Sequence, residues 1–559
     1  MKNRVYPVLA FMVVISFLLS ACQGGGLPLL DVKKVVVSVA YGSEKKDWLE
    51  PLVTEFNAAN HKNADGTTIV IEATPMGSIE SVNAIISGEI QPVVWSPASS
   101  VYIPVANSQW RKTHADDLIT GSPKDLVLSP VVIAMWKPMA EALGWPSKAL
   151  GWADIGSLAA SADGWNAFGY PEWGSFKFGH THPSYSNSGI VSIIAEAYAG
   201  VGKQRDLTLA DLSTEKATTF MTAVESSVIH YGTSTGFFAD RMFERGPSYL
   251  SAAVLYENLI VAQESKRIAG SSSQLPVVAI YPKEGTFWSN HPYVVLNAPW
   301  VTAEQKEAAA IFQTFLLDRP QQLKAMELGF RPADPSIPLT APLDAAHGVD
   351  INQPQTVLEI PTAEVIDGVQ NLWKQTKKVV DLVVVMDTSG SMGGEKIAAA
   401  RSSLMQFIQL LDDKDRLQVI IFNTKTIVLS DLTPIGEKRQ KLLNRVSGIV
   451  EEGGTRLYDT ALEAYKGLEQ NGDPKHIRAM VVLTDGQDTE SNTNFQDFMS
   501  QIDSSGTEAG LSIKMFTIAF GSDADKDILK QMAEATGGKQ YDSDPKTITK
   551  IYGDIATFF

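Results

Sequence analysis

The feature that most limits what this chain can fold into is a nearly continuous apolar run at 379–386 that stops at Asp387-Thr388-Ser389-Gly390-Ser391. A strand apolar on both faces must be covered on both sides, the condition of a central parallel strand between layers of helices. The following residues fit that setting. Segment 396–411 has the apolar spacing of a helix, 417–422 and 426–429 read as strands, and 437–446 and 457–468 read as helices. A second buried strand, 480–483, stops at Thr484-Asp485-Gly486; 512–519 and 540–541 read as the last strands, with a helix at 525–535 between them. The pattern predicts a doubly wound, Rossmann-like α/β domain over 376–559, with Asp387 and Asp485 both at carboxyl ends of strands.

Two carboxylates and several hydroxyls at such strand ends suit a hard divalent cation. Mg²⁺ prefers octahedral oxygen coordination with one or two carboxylates and neutral oxygens. Asp387, Ser389 and Ser391 can present oxygens from one tight loop, Thr455 follows Gly453-Gly454, and Asp485 supplies the second carboxylate. This Asp-x-Ser-x-Ser…Thr…Asp set resembles the metal-ion-dependent adhesion site of von Willebrand factor A domains. The resemblance implies Mg²⁺ (or Mn²⁺ or Ca²⁺) at these five residues, an open position filled by an acidic group of a protein partner, and a binder rather than a catalyst.

Upstream, 34–40, 67–72 and 92–95 read as strands, and 48–59 and 79–86 as helices. Such alternation predicts a mainly parallel sheet with helices on both faces. Three polar loops lie at helix starts: Trp95-Ser96-Pro97-Ala98-Ser99-Ser100, Ser184-Tyr185-Ser186-Asn187-Ser188-Gly189 and Gly232-Thr233-Ser234-Thr235-Gly236. Hydroxyls and free backbone N–H groups there can hold an oxyanion, although each loop alone also reads as an ordinary cap. With His182-Pro183, Ala279-Ile280-Tyr281-Pro282, Gly285-Thr286-Phe287-Trp288 and His291-Pro292-Tyr293, the region 34–375 resembles ABC-type extracellular solute-binding proteins. That family implies a two-lobed, periplasmic-binding-protein-like α/β fold with a cleft between the lobes, the chain crossing near 128 and returning near 276. The cleft residues expected on this reading are Ser96, Ser99, Ser188, Thr235, Tyr256 and Glu257. Hydroxyls and helix starts favour an oxyanion, whereas Glu257 would favour a cationic or hydroxylated solute. Segment 331–361, with six prolines, reads as an extended connection, and 363–374 as a helix that closes the region.

The chain of 559 residues contains one cysteine, Cys22, so neither an internal disulfide nor a cysteine zinc site is available. Lys2 and Arg4 precede a short apolar stretch, and Leu19-Ser20-Ala21-Cys22 resembles the lipobox of bacterial lipoproteins. The expectation is a signal peptide at 1–21, palmitate-type acyl chains on Cys22 holding the protein to a membrane, and a flexible tether at 22–33. The location implied is the extracytoplasmic face of the envelope: periplasmic, outer-membrane or cell-surface depending on the host. A net charge of −16 argues against nucleic acid as a partner.

Three other motifs carry less. Gly232-x-Ser234-x-Gly236 matches a hydrolase nucleophile elbow, but the elbow needs a preceding strand and 218–229 reads as helical. Asp523-x-Asp525-x-Asp527 with Glu534 lacks the glycine of a calcium loop. His180-x-His182 could bind a metal but is expected to have no nearby acidic or cysteine partner. The expected function is capture of a small solute by the first region and metal-dependent protein binding by the second. The sequence leaves open whether an ABC permease is served. Its alternatives are an adhesion or assembly scaffold without solute binding and a serine hydrolase using Ser234.

Overall fold

The computed structural model describes residues 33–232, 234–502 and 513–558. Cys22 and its leader lie outside the described residues. In chain order, β1 (Lys34–Tyr41), β2 (Thr68–Pro75), β3 (Val94–Ser96) and β4 (Lys124–Asp125) build a first lobe. The chain then enters a second lobe through β5 (Val127–Trp136), β6 (Phe178–Thr181), β7 (Val228–Gly232), β8 (Ala252–Tyr256), β9 (Val277–Ile280) and β10 (Trp288–Ser289). It returns through β11 (Pro292–Val295), and β12 (Arg331–Pro332) adds to β5.

The expected two-lobed α/β architecture is present, with crossings that differ in one place. The chain leaves the first lobe between Asp125 and Val127. The return lies between Ser289 and Pro292, not near 276, because β9 and β10 both pair with β5 inside the second lobe. The first sheet runs β2-β1-β3-β11-β4, and β11 is antiparallel to both neighbours. In the second, β6 is parallel to β7 and β8, while β5 is antiparallel to β8, β9, β10 and β12. These sheets are therefore mixed rather than mainly parallel. Strands that arrive from the other lobe have no helical crossover to impose parallel pairing.

The extended connection expected at 331–361 is packed against the second lobe. Ala279 N donates to Gly348 O at 2.8 Å, and the main chains of Thr286, Thr356 and Leu358 pair with one another. Ile337, Leu343, Val349 and Leu358 are buried. A segment with its polar backbone paired and apolar side chains covered is a strap on the lobe, not a linker.

The third sheet runs β15-β14-β13-β16-β17-β18: β13 (Val380–Asp387), β14 (Arg416–Phe422), β15 (Thr426–Pro434), β16 (Ile477–Thr484), β17 (Lys514–Phe520) and β18 (Gln540–Ser543). Only β15 is antiparallel, which gives the doubly wound order expected from the two apolar runs. Every residue of β13 is buried. Its one internal charge, Asp381, is held by Arg416, His476 and the backbone N–H of Asp473, at 2.7–2.9 Å.

This domain rests on the second lobe. Helix Ala363–Thr376 packs on helices Asn187–Val201 and Glu215–Glu225, and its Trp373 ring stands 4.9 Å from His182 and 5.4 Å from Tyr231. From the C-terminal domain, Phe558 O accepts from Tyr231 N at 3.3 Å, and the Phe558 ring stacks on His230 with centroids 6.2 Å apart.

Candidate functional site

The carboxyl ends of β13 and β16 carry the five residues singled out in the C-terminal domain. Asp387 closes β13, fully buried; its Oδ1 accepts from Ser389 N at 2.7 Å and its Oδ2 accepts from the Thr484 hydroxyl. Ser389 Oγ lies 3.0 Å from Ser391 Oγ, and Ser391 Oγ donates to Asp485 Oδ1 at 2.7 Å. Asp387, Ser389, Ser391 and Asp485 thus form one continuous polar cluster. Thr455 joins it from the third loop: a methyl group built on Gly486 would lie 3.7 Å from both Thr455 Oγ1 and Ser391 Oγ. Two backbone bonds clip the loops together, Gly390 N to Gly453 O at 3.0 Å and Glu452 N to Thr388 O at 2.8 Å. Gly453 has φ +73°, and a side chain there would strike Thr424, so this close approach needs glycine.

Burial, with a further push from Asp485, raises the Asp387 carboxyl to about 6 despite its hydrogen bonds from Ser389 and Thr484. Two fully buried carboxylates beside three hydroxyls form a donor set suited to a hard divalent cation. One resident cation is already present: the Lys396 ammonium bonds Asp485 Oδ2 from helix Glu395–Leu410. Sequence reasoning missed Lys396 and Thr484, because neither belongs to the spaced motif.

In the first region a cavity of about 240 Å³ opens between the lobes. Ser43, Glu44, Gly77, Ser78 and Ala98 border it from the first lobe; Tyr185, Ser186, Asn187, Ser234, Thr235, Gly236, Asp240 and Tyr256 border it from the second. Helices Ser78–Ser87, Asn187–Val201 and Thr235–Arg245 begin at this wall, so backbone N–H groups and positive dipole ends face it. Glu44 and Asp240 bring negative charge. Burial opposes ionisation of Glu44, yet Lys45 and His291 beneath it hold its carboxyl well below the usual range. Burial raises that of Asp240.

The expected cleft residues separate into three groups. Thr235 and Tyr256 line the cavity. Ser188 lies just beneath, taking a 2.9 Å hydrogen bond from Thr235 Oγ1 and sharing another with Thr181. Ser96 is buried, with no partner for its Oγ among the described residues, and its carbonyl accepts from Lys45 Nζ at 3.1 Å. Ser99 turns away to accept from Val101 N at 3.2 Å. Glu257 does not border the cavity: Arg331 grips both its oxygens at 2.6–2.7 Å, and Tyr281 bonds it too. It is a buried ion pair that fastens the 331–361 strap. The acidic lining comes instead from Glu44 and Asp240, which no local motif marks.

The hydrolase motif also needs correction. A strand, β7, does precede Ser234: the spacing over 218–229 predicts a helix, but the helix stops at Glu225. Ser234 nevertheless has φ −143° and ψ 152°, an extended helix N-cap rather than a strained elbow. Asp525 caps helix Lys526–Ala535 by accepting from Ile528 N. His180 does have acidic neighbours, Glu196 and Glu225, contrary to the sequence reading.

Comparison with known proteins agrees with both halves. The family model for bacterial extracellular solute-binding proteins matches residues 37–331, more than half of the chain, and that for the von Willebrand factor type A domain matches 381–552. An uncharacterized protein of Mycobacterium tuberculosis is 24% identical over an alignment of 580 residues, covering 96% of this chain and 76% of that protein. Inter-alpha-trypsin inhibitor heavy chain H4 of Homo sapiens is 28% identical over 165 residues, 28% of this chain and 17% of that one. The chain thus spans less than a fifth of the inhibitor heavy chains it matches. Among solved structures, a periplasmic thiamin binding protein aligns with 61% of this chain and 96% of its own, at 12% identity and a TM-score of 0.42. A von Willebrand factor type A protein from Catenulispora acidiphila aligns with 32% of this chain and 42% of its own, at 22% identity and a TM-score of 0.29. The chain belongs to the bacterial extracellular solute-binding protein family and carries, after its two lobes, a von Willebrand factor type A domain.

Proposed function

We propose that this protein is an extracytoplasmic receptor, held to a membrane by lipid on Cys22, that captures a small solute between its lobes and binds a protein partner through its C-terminal domain. One observation carries the adhesive half: Ser389, Ser391 and Asp485 are linked through their side-chain oxygens, Asp387 is tied to them through the Ser389 backbone N–H, and Thr455 stands at the edge. Those five residues would hold Mg²⁺, or Mn²⁺ or Ca²⁺ in its place. The bound ion would supply a Lewis-acidic position for a carboxylate of the partner. The chain itself supplies the rest: a loop cluster clipped by backbone bonds, and two buried carboxylates, of which Asp485 is paired with Lys396.

The solute half rests on the cavity's mixed wall. Helix starts and hydroxyls accommodate anionic or hydroxyl oxygens, while Glu44 and Asp240 favour donors or a cation. A small polar solute bearing both kinds of group fits best. The family places the protein outside the cytoplasm, and no helix among the described residues is long and apolar enough to cross a membrane. The lipobox-like Leu19-Ser20-Ala21-Cys22 supports lipid on Cys22 as the anchor, and Cys22→Ala should release the protein from membranes on fractionation.

The deciding experiment is a melting curve of the full chain with Mg²⁺ or with chelator, for the wild type and Asp387→Ala. Mg²⁺ at a hundredfold its dissociation constant stabilises a one-site protein by about 2.7 kcal/mol. Wild type should show such a shift and Asp387→Ala none. Identical responses would remove the metal-dependent reading.

A further inference from the structure

The second lobe encloses a group of ionisable side chains that does not border the cleft. His180 in β6, Glu196 in helix Asn187–Val201 and Glu225 at the end of helix Glu215–Glu225 are all completely buried. One ring nitrogen of His180 and one oxygen of each glutamate lie within 4.8 Å of one another.

The hydrogen bonds show what this group lacks. His180 Nδ1 lies 2.8 Å from the carbonyl oxygen of Thr181, which can only accept, so Nδ1 carries a proton. In a neutral ring Nε2 is then a lone pair, and it faces Glu225 Oε1 at 3.0 Å. A positive centre belongs between them. The other oxygen of Glu225 accepts from Tyr231 OH at 2.6 Å, which fixes that carboxylate. A proton on Nε2 would satisfy this pair but would do nothing for Glu196, neither of whose oxygens has a hydrogen-bond partner among the described residues. Burial and the nearby Glu225 push the Glu196 carboxyl well above its usual range, and even the neutral acid leaves a donor and an acceptor unpaired. Lys378, from the segment leading into the C-terminal domain, and Lys414, within that domain, act on Glu225 from one side and offset part of its charge; the charged group acting on Glu196 is another carboxylate.

A divalent ion answers all of these at once. Two carboxylates and a neutral imidazole carry the charge that one such ion cancels, which matters most where no water reaches. A metal-bound histidine commonly donates its other ring N–H to a backbone carbonyl, and ligating carboxylates are themselves hydrogen-bonded, as Tyr231 does for Glu225. Zinc takes nitrogen and carboxylate oxygen at about 2.0–2.2 Å. Its ligand atoms then stand about 3.4 Å apart, so rotations closing the group by about 1 Å bring one atom of each residue to bonding distance, and the second, equally unpartnered oxygen of Glu196 supplies the fourth ligand.

We propose that His180, Glu196 and Glu225 form a closed structural site for a divalent transition metal of the zinc type, tying β6 to the two helices on which the C-terminal domain's connecting helix rests. The site is separate from the Asp387 cluster and from the cleft.

The test uses the full chain carrying Asp387→Ala, which silences the other metal site. The protein is refolded from denaturant with zinc chloride, because a buried site fills during folding, and then passed over a chelating resin. Elemental analysis should find about one zinc per chain, and X-ray absorption should show a nitrogen–oxygen shell that includes one imidazole. Glu196→Gln, which preserves size, should retain less than about a tenth of the zinc while keeping its circular dichroism spectrum. Absence of retained zinc in the parent, or equal retention in Glu196→Gln, overturns the proposal. If the variant does not fold, the parent's absorption spectrum decides: one imidazole supports the site, and a shell of oxygens alone overturns it.

Discussion

At the scale of single residues, the Asp387 cluster ties metal affinity to pH. The Asp387 carboxyl, raised by burial to about 6 without metal, holds its proton more tightly in the folded than in the unfolded chain. Its contribution to stability is therefore complete below about 4 and is lost as pH rises through about 6. A metal ion competes with that proton, so stabilisation by Mg²⁺ should be small near pH 5 and grow to a plateau above pH 7, as read from melting curves across that range. A flat profile would mean that Asp387 is not a ligand. Lys396 makes a second prediction. Its ammonium already neutralises Asp485, and a divalent ion must compete with it. Lys396→Met should lower the stability of the metal-free protein and tighten Mg²⁺ binding several-fold by titration calorimetry. The five-residue cluster was legible because each member sits at a strand end or beside a glycine turn. Lys396 was not, because its role depends on where a helix face lands. Glu257 was misread for a similar reason: its partner Arg331 lies 74 residues away, and nothing local announces an ion pair.

At the scale of elements, apolar runs identified β13 and β16, but they could not place the end of helix Glu215–Glu225. The run Ser227-Val228-Ile229-His230-Tyr231 continues helical spacing closely enough that its change to a strand depends on pairing with β6, a tertiary fact. The return crossing was placed too early for the same reason, since β9 and β10 become second-lobe strands only through β5. Helix Asn187–Val201 supports a direct test. A side chain at Gly189 would stand 2.1 Å from Thr181 O, so glycine lets this helix start against the end of β6 and brings Asn187 to the cleft wall. Gly189→Ala should cost about 1–3 kcal/mol by overpacking and weaken solute binding. Gly236→Ala, with nothing within 4 Å of the added methyl, should leave stability near wild type. Equal melting temperatures for the two variants would show that the Gly189 contact relaxes freely.

At the scale of the whole molecule, the domain contacts decide whether the two binding activities share one fate. Trp373 is buried between His182 and Tyr231, and Phe558 of the C-terminal domain bonds Tyr231 through its carbonyl and stacks on His230. Tyr231 itself lies in β7, two residues before the loop that carries Ser234 and Thr235 to the cleft. Domains joined by such buried aromatic contacts should melt together, and a ligand of one should then stabilise both by mass action. Mg²⁺ should accordingly raise a single calorimetric transition in the wild type. Trp373→Ala should cost about 3–5 kcal/mol for the lost packing, and with Phe558→Ala it should split the transition in two. Mg²⁺ should then move only the transition of the C-terminal domain, leaving that of the two lobes in place. If the wild type already shows two transitions, one of them indifferent to Mg²⁺, the domains are energetically independent and solute capture proceeds without regard to the adhesive site.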